Sequence, residues 1–537
     1  MINWDNYPNI ASGGVYEWAK SLVNGLTDFQ FIIVNCVSNP NVSETYSIPD
    51  HVIKVIELPL FGCQRYEEFL KYEDTSLVSK IIRTNKSFIE NDFRPTYKEF
   101  ISELFSETCD SSRLESIIFK LHQILVEHDS KKCLEDPQTF GLFVEFLQKD
   151  DLFKNIPLND ALMVFQLLQR IIQILSVKLP AVDLIHTSNA WFPSVMGICA
   201  KRENKCPMIV TEHGLAFKDL LLNQWRYMNN GASSILWKIL SKNITKTVCN
   251  SADIVAPVCY SNSIFEQSLG LDKSRIKVIY NGVDTTRFKP IEVSPIAMED
   301  NTENIDLYQN SPLNVTAISK RKRPTVVYVG RIELLKDVGN LIEAIKFVKQ
   351  KLPDILCLIY GTSTDLDYAK YCFKLVRDFQ LEDNIKFMGK TNEPELAYNQ
   401  ADVVVLSSVR EGFPYSILEG MACGKPIVST DTGGIREAVE NYGFLVKSRH
   451  PNELGWAITK MLKEDTLRTQ LGNSAKERML QDFSMEHFIS EYRNLYNELT
   501  TNPNWVPGYK DEEKESLIES KTDSSIGILN AKSREDG

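Results

Sequence analysis

The segment Arg410-Glu411-Gly412-Phe413-Pro414-Tyr415-Ser416-Ile417-Leu418-Glu419-Gly420 sets two carboxylates on either side of a helix start. Gly412 and Pro414 interrupt regular structure, so Glu411 belongs to a loop after the apolar run 402–406, and Glu419 to the first turns of the helix that follows. A carboxylate accepts hydrogen bonds from neighbouring hydroxyls of a sugar or ribose, and free amides at a helix N-terminus favour a diphosphate. Taken alone, two glutamates at this spacing are usually solvated side chains. Two upstream cations alter that balance. Gly330-Arg331 closes the apolar run 325–329, and Lys336 stands just before a helix that begins near Asp337. Open α/β sheets bind ligands beyond the carboxyl ends of their strands. A guanidinium and an ammonium held there would stabilise a departing diphosphate increasingly as its charge grows.

Three further motifs lie in the first half. In Thr211-Glu212-His213-Gly214 a histidine follows an apolar strand, where most histidines are structural; the Glu-His-Gly setting at a strand end shifts His213 towards function. Glu212 stays open between orienting His213 and touching an acceptor. Ser12-Gly13-Gly14-Val15 opens a helix over 16–26, either as a loop whose amides approach a ligand or as a plain capping turn. Asn281-Gly282-Val283-Asp284 is the third, near the end of this half. Asp365-Leu366-Asp367 has the spacing of a metal-binding D-x-D, but its position after Gly361-Thr362-Ser363-Thr364 reads as a loop and helix start. The run Lys320-Arg321-Lys322-Arg323 reads as a solvated stretch in preference to a membrane-docking patch.

The elements that must position these residues follow an α/β rhythm. Short apolar runs at 31–36, 52–58, 182–186, 208–211 and 253–258 predict buried parallel strands, and the pattern restarts at 325–329, 355–360, 385–388, 402–406 and 426–429. Two α/β domains are expected, at 1–288 and 324–482, joined by a polar linker at 289–323. Residues from about 67 to 175 carry helical periodicity, as in Leu114, Ile117, Ile118, Leu121, Ile124 and Leu125, and predict a helical insertion. A C-terminal helix over 483–505 is expected to pack back on the first domain, and 506–537 is too polar to build a core.

Composition narrows the function. The 537 residues carry 60 Lys and Arg against 71 Asp and Glu, a formal charge of -11, which argues against nucleic acid as a partner. The eleven cysteines stand singly with no CxxC pair, so no zinc framework or redox motif is expected. The N-terminal stretch lacks a basic start, an apolar core and a cleavage site, and the apolar run 161–177 is broken by Gln166, Gln169, Arg170 and Gln173. A cytoplasmic chain is expected, with peripheral contact at the inner face of a membrane left open.

Together, Gly330-Arg331 with Lys336, the Glu411 to Glu419 segment, and Asp431-Thr432-Gly433-Gly434 with Glu437 resemble the family 4 retaining glycosyltransferases of the GT-B fold, in which two Rossmann-like domains face a cleft. The first-half motifs and the helical insertion make the chain most similar to the PelF-like exopolysaccharide glycosyltransferases. The resemblance implies catalytic roles for His213, Arg331, Lys336 and Glu411. Arg331 and Lys336 would grip the donor diphosphate, Glu419 the ribose and Glu411 the transferred sugar. It also places Gly13, Gly14, Met388, Gly412, Phe413, Ser416 and Ile417 around the substrates. It implies a UDP-sugar donor, a glycan acceptor and no metal cofactor, with a membrane polysaccharide-export complex as a further partner left open. The sequence departs from the family at its start, where the apolar first strand is missing before Gly13. That departure motivates an alternative, a nucleotide-sugar sensor or scaffold without turnover; a UDP-sugar epimerase of similar fold is a second alternative.

Overall fold

The computed structural model describes residues 1–4, 7–8, 13–37, 48–59, 77–214, 231–292, 323–363 and 365–501. Ser12, Thr364, most of the expected linker and the expected tail lie outside the described residues. The described residues form two six-stranded parallel sheets.

The first sheet contains β1 (Ile2–Trp4), β2 (Phe31–Val37), β3 (Val52–Pro59), β4 (Ile185–Thr187), β5 (Met208–Glu212) and β6 (Ile254–Pro257), in the order β3-β2-β1-β4-β5-β6. The expected absence of a first strand is corrected here. β1 is present and sits between β2 and β4, with Ile2, Asn3 and Trp4 opposite Val34, Asn35 and Cys36, and Ile2 opposite Thr187. Three residues that include a buried asparagine carry no apolar run, so their strand character comes from the neighbours that flank them.

Helices cover both faces, as burial of a parallel sheet requires. α1 (Gly14–Gly25) follows β1. The insertion comprises α2 (Leu77–Arg83), α3 (Arg94–Leu104), α4 (Ser111–Glu127), α5 (Ser130–Glu135), α6 (Pro137–Lys149) and α7 (Leu158–Ile174). Its starts are set locally. Asp110 accepts from the amides of Ser112 and Arg113 to cap α4, and Asp136 accepts from Thr139 with Pro137 in the first turn of α6. α8 (Val195–Asn204), α9 (Gly231–Ser251) and α10 (Tyr260–Ser268) complete this half.

The second sheet contains β7 (Thr325–Val329), β8 (Leu356–Tyr360), β9 (Ile385–Gly389), β10 (Val403–Leu406), β11 (Ile427–Thr430) and β12 (Gly443–Val446), in the order β12-β11-β10-β7-β8-β9. The edge strand β12 is short and half-buried, and its apolar run Phe444-Leu445-Val446 is a strand that the sequence reading missed. The helices are α11 (Val338–Lys349), α12 (Leu366–Asp378), α13 (Pro394–Gln400), α14 (Tyr415–Ala422), α15 (Ile435–Val439), α16 (Pro451–Lys463) and α17 (Asp465–Asp482). Asp365 caps α12 through the amide of Tyr368, which accounts for the D-x-D spacing. Arg323, read as solvated from sequence, instead binds the carbonyls of Asp354, Ile355 and Asp383 at 2.8–2.9 Å.

Alternation along the first sheet splits its core. Val34, Met208 and Val210 belong to the core that includes α8, α9 and the helical insertion, while Ile33 and Ile209 belong to the core that includes α1 and the last helix, α18 (Met485–Thr501). The chain thus leaves the second domain and lays α18 on the first. Phe488, Tyr492, Leu495 and Tyr496 are buried beside Trp18 and Leu22. The crossing is pinned where the Val283 amide donates to the Phe483 carbonyl and the Met485 amide to the Val283 carbonyl, each at 3.0 Å.

Candidate functional site

The central strands of the second sheet, β7 and β10, are neighbours, and the loops after them carry Arg331, Lys336 and Glu411. Lys336 and Glu411 meet: Nζ lies 2.7 Å from Oε1 and 2.8 Å from Oε2. The side chains are only 21% and 7% exposed, so solvent screens this pair little. Two consecutive serines, both fully buried, sit directly after β10. The Ser407 hydroxyl donates to the Lys336 carbonyl at 3.0 Å, and the Ser408 hydroxyl to Glu411 Oε1 at 2.5 Å. These serines are adjacent to the apolar strand in sequence but carried no signal there.

Arg331 does not join the pair. Its guanidinium lies 3.1 Å from Glu333 and its side chain is 66% exposed. Glu419 is on α14, where the Tyr398 hydroxyl donates to Oε2 at 2.7 Å. Burial, opposed by the Tyr398 hydrogen bond and reinforced by Glu17, pushes its carboxyl up to about 7. Met388 lies half-buried near the end of β9, and Ser416 is half-exposed in the first turn of α14. The Phe413 side chain is buried against Tyr280 and Phe483, with ring centroids 4.8 and 5.2 Å away, and Ile417 is fully buried in the second core. Both side chains are taken up by the core.

The first domain meets this site at several named points. Gly412 packs against the carbonyl of His213, where an added Cβ would stand 1.8 Å from the oxygen. Arg410 donates to the carbonyl of Gly214, and Asn281 Nδ2 to the carbonyl of Phe413 at 2.8 Å. Gly14 lies beneath the Tyr415 ring, which an added Cβ would approach to 3.3 Å, and Gly13 opens α1 with φ 102°. The Glu437 carboxylate takes the amides of Tyr260 and Ser261 at 2.6 and 2.7 Å and the Tyr280 hydroxyl at 3.2 Å. An anion thus caps the N-terminus of α10 from across the domain boundary. Gly433, with φ +57°, has the carbonyl of Glu411 so near that a Cβ would lie 1.9 Å away, and the Gly434 amide donates to the Gly412 carbonyl at 2.7 Å. The Gly-Gly turn therefore fixes the backbone that carries Glu411.

His213 is held from behind. Its ring stands edge-on to Trp18 at 4.7 Å, and Trp18 packs edge-on to His186 at 5.3 Å and Tyr492 at 5.9 Å. His186 bonds Tyr496 at 2.7 Å and Thr211 at 2.8 Å, and Thr211 bonds Tyr492 at 2.9 Å. This network ties α18 to the carboxyl ends of β4 and β5. Burial pushes the His213 imidazole down to about 3, so it is neutral across the physiological range, and its Nε2 has no hydrogen-bond partner among the described residues. Glu212 is buried and takes the amide of Ala190, which links the ends of β4 and β5.

The arrangement combines an ammonium beside a carboxylate, a second carboxylate on a helix, and an imidazole across the boundary. Among the described residues no cluster of His, Cys, Asp and Glu side chains is arranged to hold a metal, and no helix is long and apolar enough to cross a membrane.

Comparison with known proteins agrees with this architecture. Residues 5–274 match the family described as "Domain of unknown function (DUF3492)", and residues 315–478 match "Glycosyl transferases group 1". A Campylobacter jejuni N,N'-diacetylbacillosaminyl-diphospho-undecaprenol alpha-1,3-N-acetylgalactosaminyltransferase is 28% identical over 279 residues, 51% of this chain and 68% of that protein. Sucrose-phosphate synthase from Thermosynechococcus elongatus superposes with a TM-score of 0.57 at 18% identity, covering 93% of this chain and 98% of that one. Anabaena HepE in complex with UDP and glucose superposes at 0.55 and 16% identity, covering 93% and 99%. The chain belongs to the DUF3492 family, and with its group 1 domain on two facing Rossmann-like sheets it is a glycosyltransferase of the GT-B fold.

Proposed function

We propose that this glycosyltransferase moves a hexosyl or N-acetylhexosaminyl unit from a UDP-sugar to a glycan acceptor with retention of anomeric configuration and without a metal ion. The observation that carries the reading is the Lys336–Glu411 pair after the central strands, with the Glu411 loop pressed against His213 of the opposite domain. The choice of UDP is supported by HepE, which shares the fold and is solved with UDP and glucose. The domains meet across 1–288 and 324–482, with α18 as the return helix.

In this reading Lys336 and Arg331 meet the diphosphate and stabilise it as the glycosidic bond breaks, supplying the positive charge that a metal provides elsewhere. Glu411 holds hydroxyls of the transferred sugar, and Glu419 those of the ribose. The amides of Gly412, Phe413, Ser416 and Ile417, with Met388 and the Gly13-Gly14 turn, line the donor. The acceptor hydroxyl attacks the face that the phosphate leaves, and the departing phosphate oxygen takes its proton. Neutral His213 contributes hydrogen bonding near the reacting carbon instead of charge. The protein's part is positioning and exclusion of water.

The likeness at sequence level to PelF-like, family 4 enzymes supports a role in exopolysaccharide or other cell-surface polysaccharide synthesis, with action on the cytoplasmic side and peripheral contact with an export complex. The sensor alternative loses its motive, because β1 is in place. The test is a panel of UDP- and GDP-hexoses and N-acetylhexosamines with oligosaccharide acceptors, following nucleotide release, product mass and anomeric configuration by NMR, with and without a chelator. Inverted product, or turnover abolished by the chelator, sinks the corresponding part of the reading.

A further inference from the structure

We propose that Ser408 is a positioning residue that holds the Glu411 carboxylate for the donor sugar when Lys336 engages the diphosphate. The inference rests on the roles given above to Lys336 and Glu411. Glu411 Oε1 accepts from both Lys336 Nζ and the Ser408 hydroxyl, at 2.7 and 2.5 Å, whereas among the described residues Oε2 accepts from Lys336 alone, at 2.8 Å. The two oxygens are therefore unequal. Oε1 has its lone pairs committed to the protein, and Oε2 keeps capacity for a sugar hydroxyl. A lysine drawn towards a diphosphate relaxes its grip on Glu411, and the Ser408 hydroxyl is then the contact that keeps the carboxylate from turning.

Ser408 is built for that task. It is fully buried and sits two residues beyond β10, and its carbonyl accepts from the Thr430 hydroxyl at the end of β11 at 2.6 Å. Its neighbour Ser407 ties the Lys336 main chain to the same turn at 3.0 Å. One dipeptide thus spaces the cation and the carboxylate relative to the carboxyl end of β10. A hydrogen bond from a rigid, buried donor to one oxygen restricts the turning of the carboxylate, which is the preorganisation a transient sugar contact needs.

The experiment measures kcat and donor KM with a UDP-sugar, and UDP affinity by calorimetry, for the wild type, Ser408→Ala, Ser408→Thr, Glu411→Gln and the Ser408→Ala/Glu411→Gln double variant. Ser408→Ala is expected to lower kcat about 10-fold or more, with UDP affinity within about 2-fold of wild type, and Ser408→Thr to restore most of the loss. In the Glu411→Gln background the serine substitution should add little, because the two act as one unit. Wild-type kcat in Ser408→Ala, a loss that multiplies fully with that of Glu411→Gln, or a loss of UDP binding in Ser408→Ala overturns the inference. If the wild type turns over but Lys336→Ala and Glu411→Ala do too, the roles assigned to that pair fail first, and a wild type without transfer sinks both readings.

Discussion

Gly412 lies against the carbonyl of His213 so closely that a single methyl group would stand 1.8 Å from that oxygen. The two residues come from different domains, and no side chain fits between them. The contact sets the distance between the loop that carries Glu411 and the strand end that carries His213. Gly412→Ala should leave both cores folded but hold the domains apart, and a misplacement of this size is expected to lower kcat by about 100-fold. Steady-state kinetics with small-angle scattering checks it; an unchanged rate would show that the contact is dispensable.

Lys336→Ala and Glu411→Ala should each lower transfer by at least about 100-fold, since one removes charge stabilisation of the leaving group and the other a sugar contact. Near-normal product formation by either variant, measured by mass, would remove that residue from the machinery.

Because Glu411 neutralises Lys336 at 2.7 Å, it competes with an incoming diphosphate. Glu411→Gln should therefore bind free UDP more tightly, by roughly 3- to 10-fold, while losing transfer. Calorimetry separates the two effects, and weaker UDP binding would show that Lys336 does not meet the diphosphate.

Glu419 titrates near 7, raised mainly by burial, with Tyr398, Glu17, Arg287 and Glu395 as the groups that face it. Its folded value lies above its unfolded one, so the folded chain binds the extra proton between them, and this contribution to stability is lost as pH rises through about 7. Function should run the other way. Ribose hydroxyls are best held by the ionised carboxylate, so donor KM should increase as pH falls below about 7, and Glu419→Gln should abolish that dependence. A KM that stays flat with pH in the wild type contradicts the ribose contact.

Glu437 receives three hydrogen bonds from the first domain, from Tyr260, Ser261 and Tyr280. Removing a charged acceptor from such a set costs about 2 kcal/mol. Glu437→Ala should lower the melting temperature and separate the two domains' unfolding in calorimetry, and a single unshifted transition would count against the clamp.

Much of this protein was legible in order along the chain. Among the described residues ten of the twelve strands coincide with the short apolar runs of the sequence, since most strands of a parallel sheet are buried on both faces and must be apolar on both. The run Thr325–Val329 and the helix starting at Val338 bracket Arg331 and Lys336 as the spacing predicts. A glutamate in a Gly-Pro-broken loop likewise had to fall outside the helix that holds Glu419. Local chemistry determines such features, because they depend on residues within a few positions.

Tertiary structure alone decided which of those residues meet. β1 is a strand only because β2 and β4 flank it, and no pattern in Ile2-Asn3-Trp4 requires that. Lys336 pairs with Glu411 while Arg331 turns to Glu333, a choice between two cations that spacing does not make. Ser407 and Ser408 look like ordinary turn residues until the neighbouring loops arrive beside them. Phe413 and Ile417 share the motif of Glu411 yet are taken by the core, since burial of an apolar side chain depends on what surrounds it and not on its neighbours in sequence. The contact of Gly412 with His213 likewise joins residues about two hundred positions apart, and only the packing of one domain on the other brings them together.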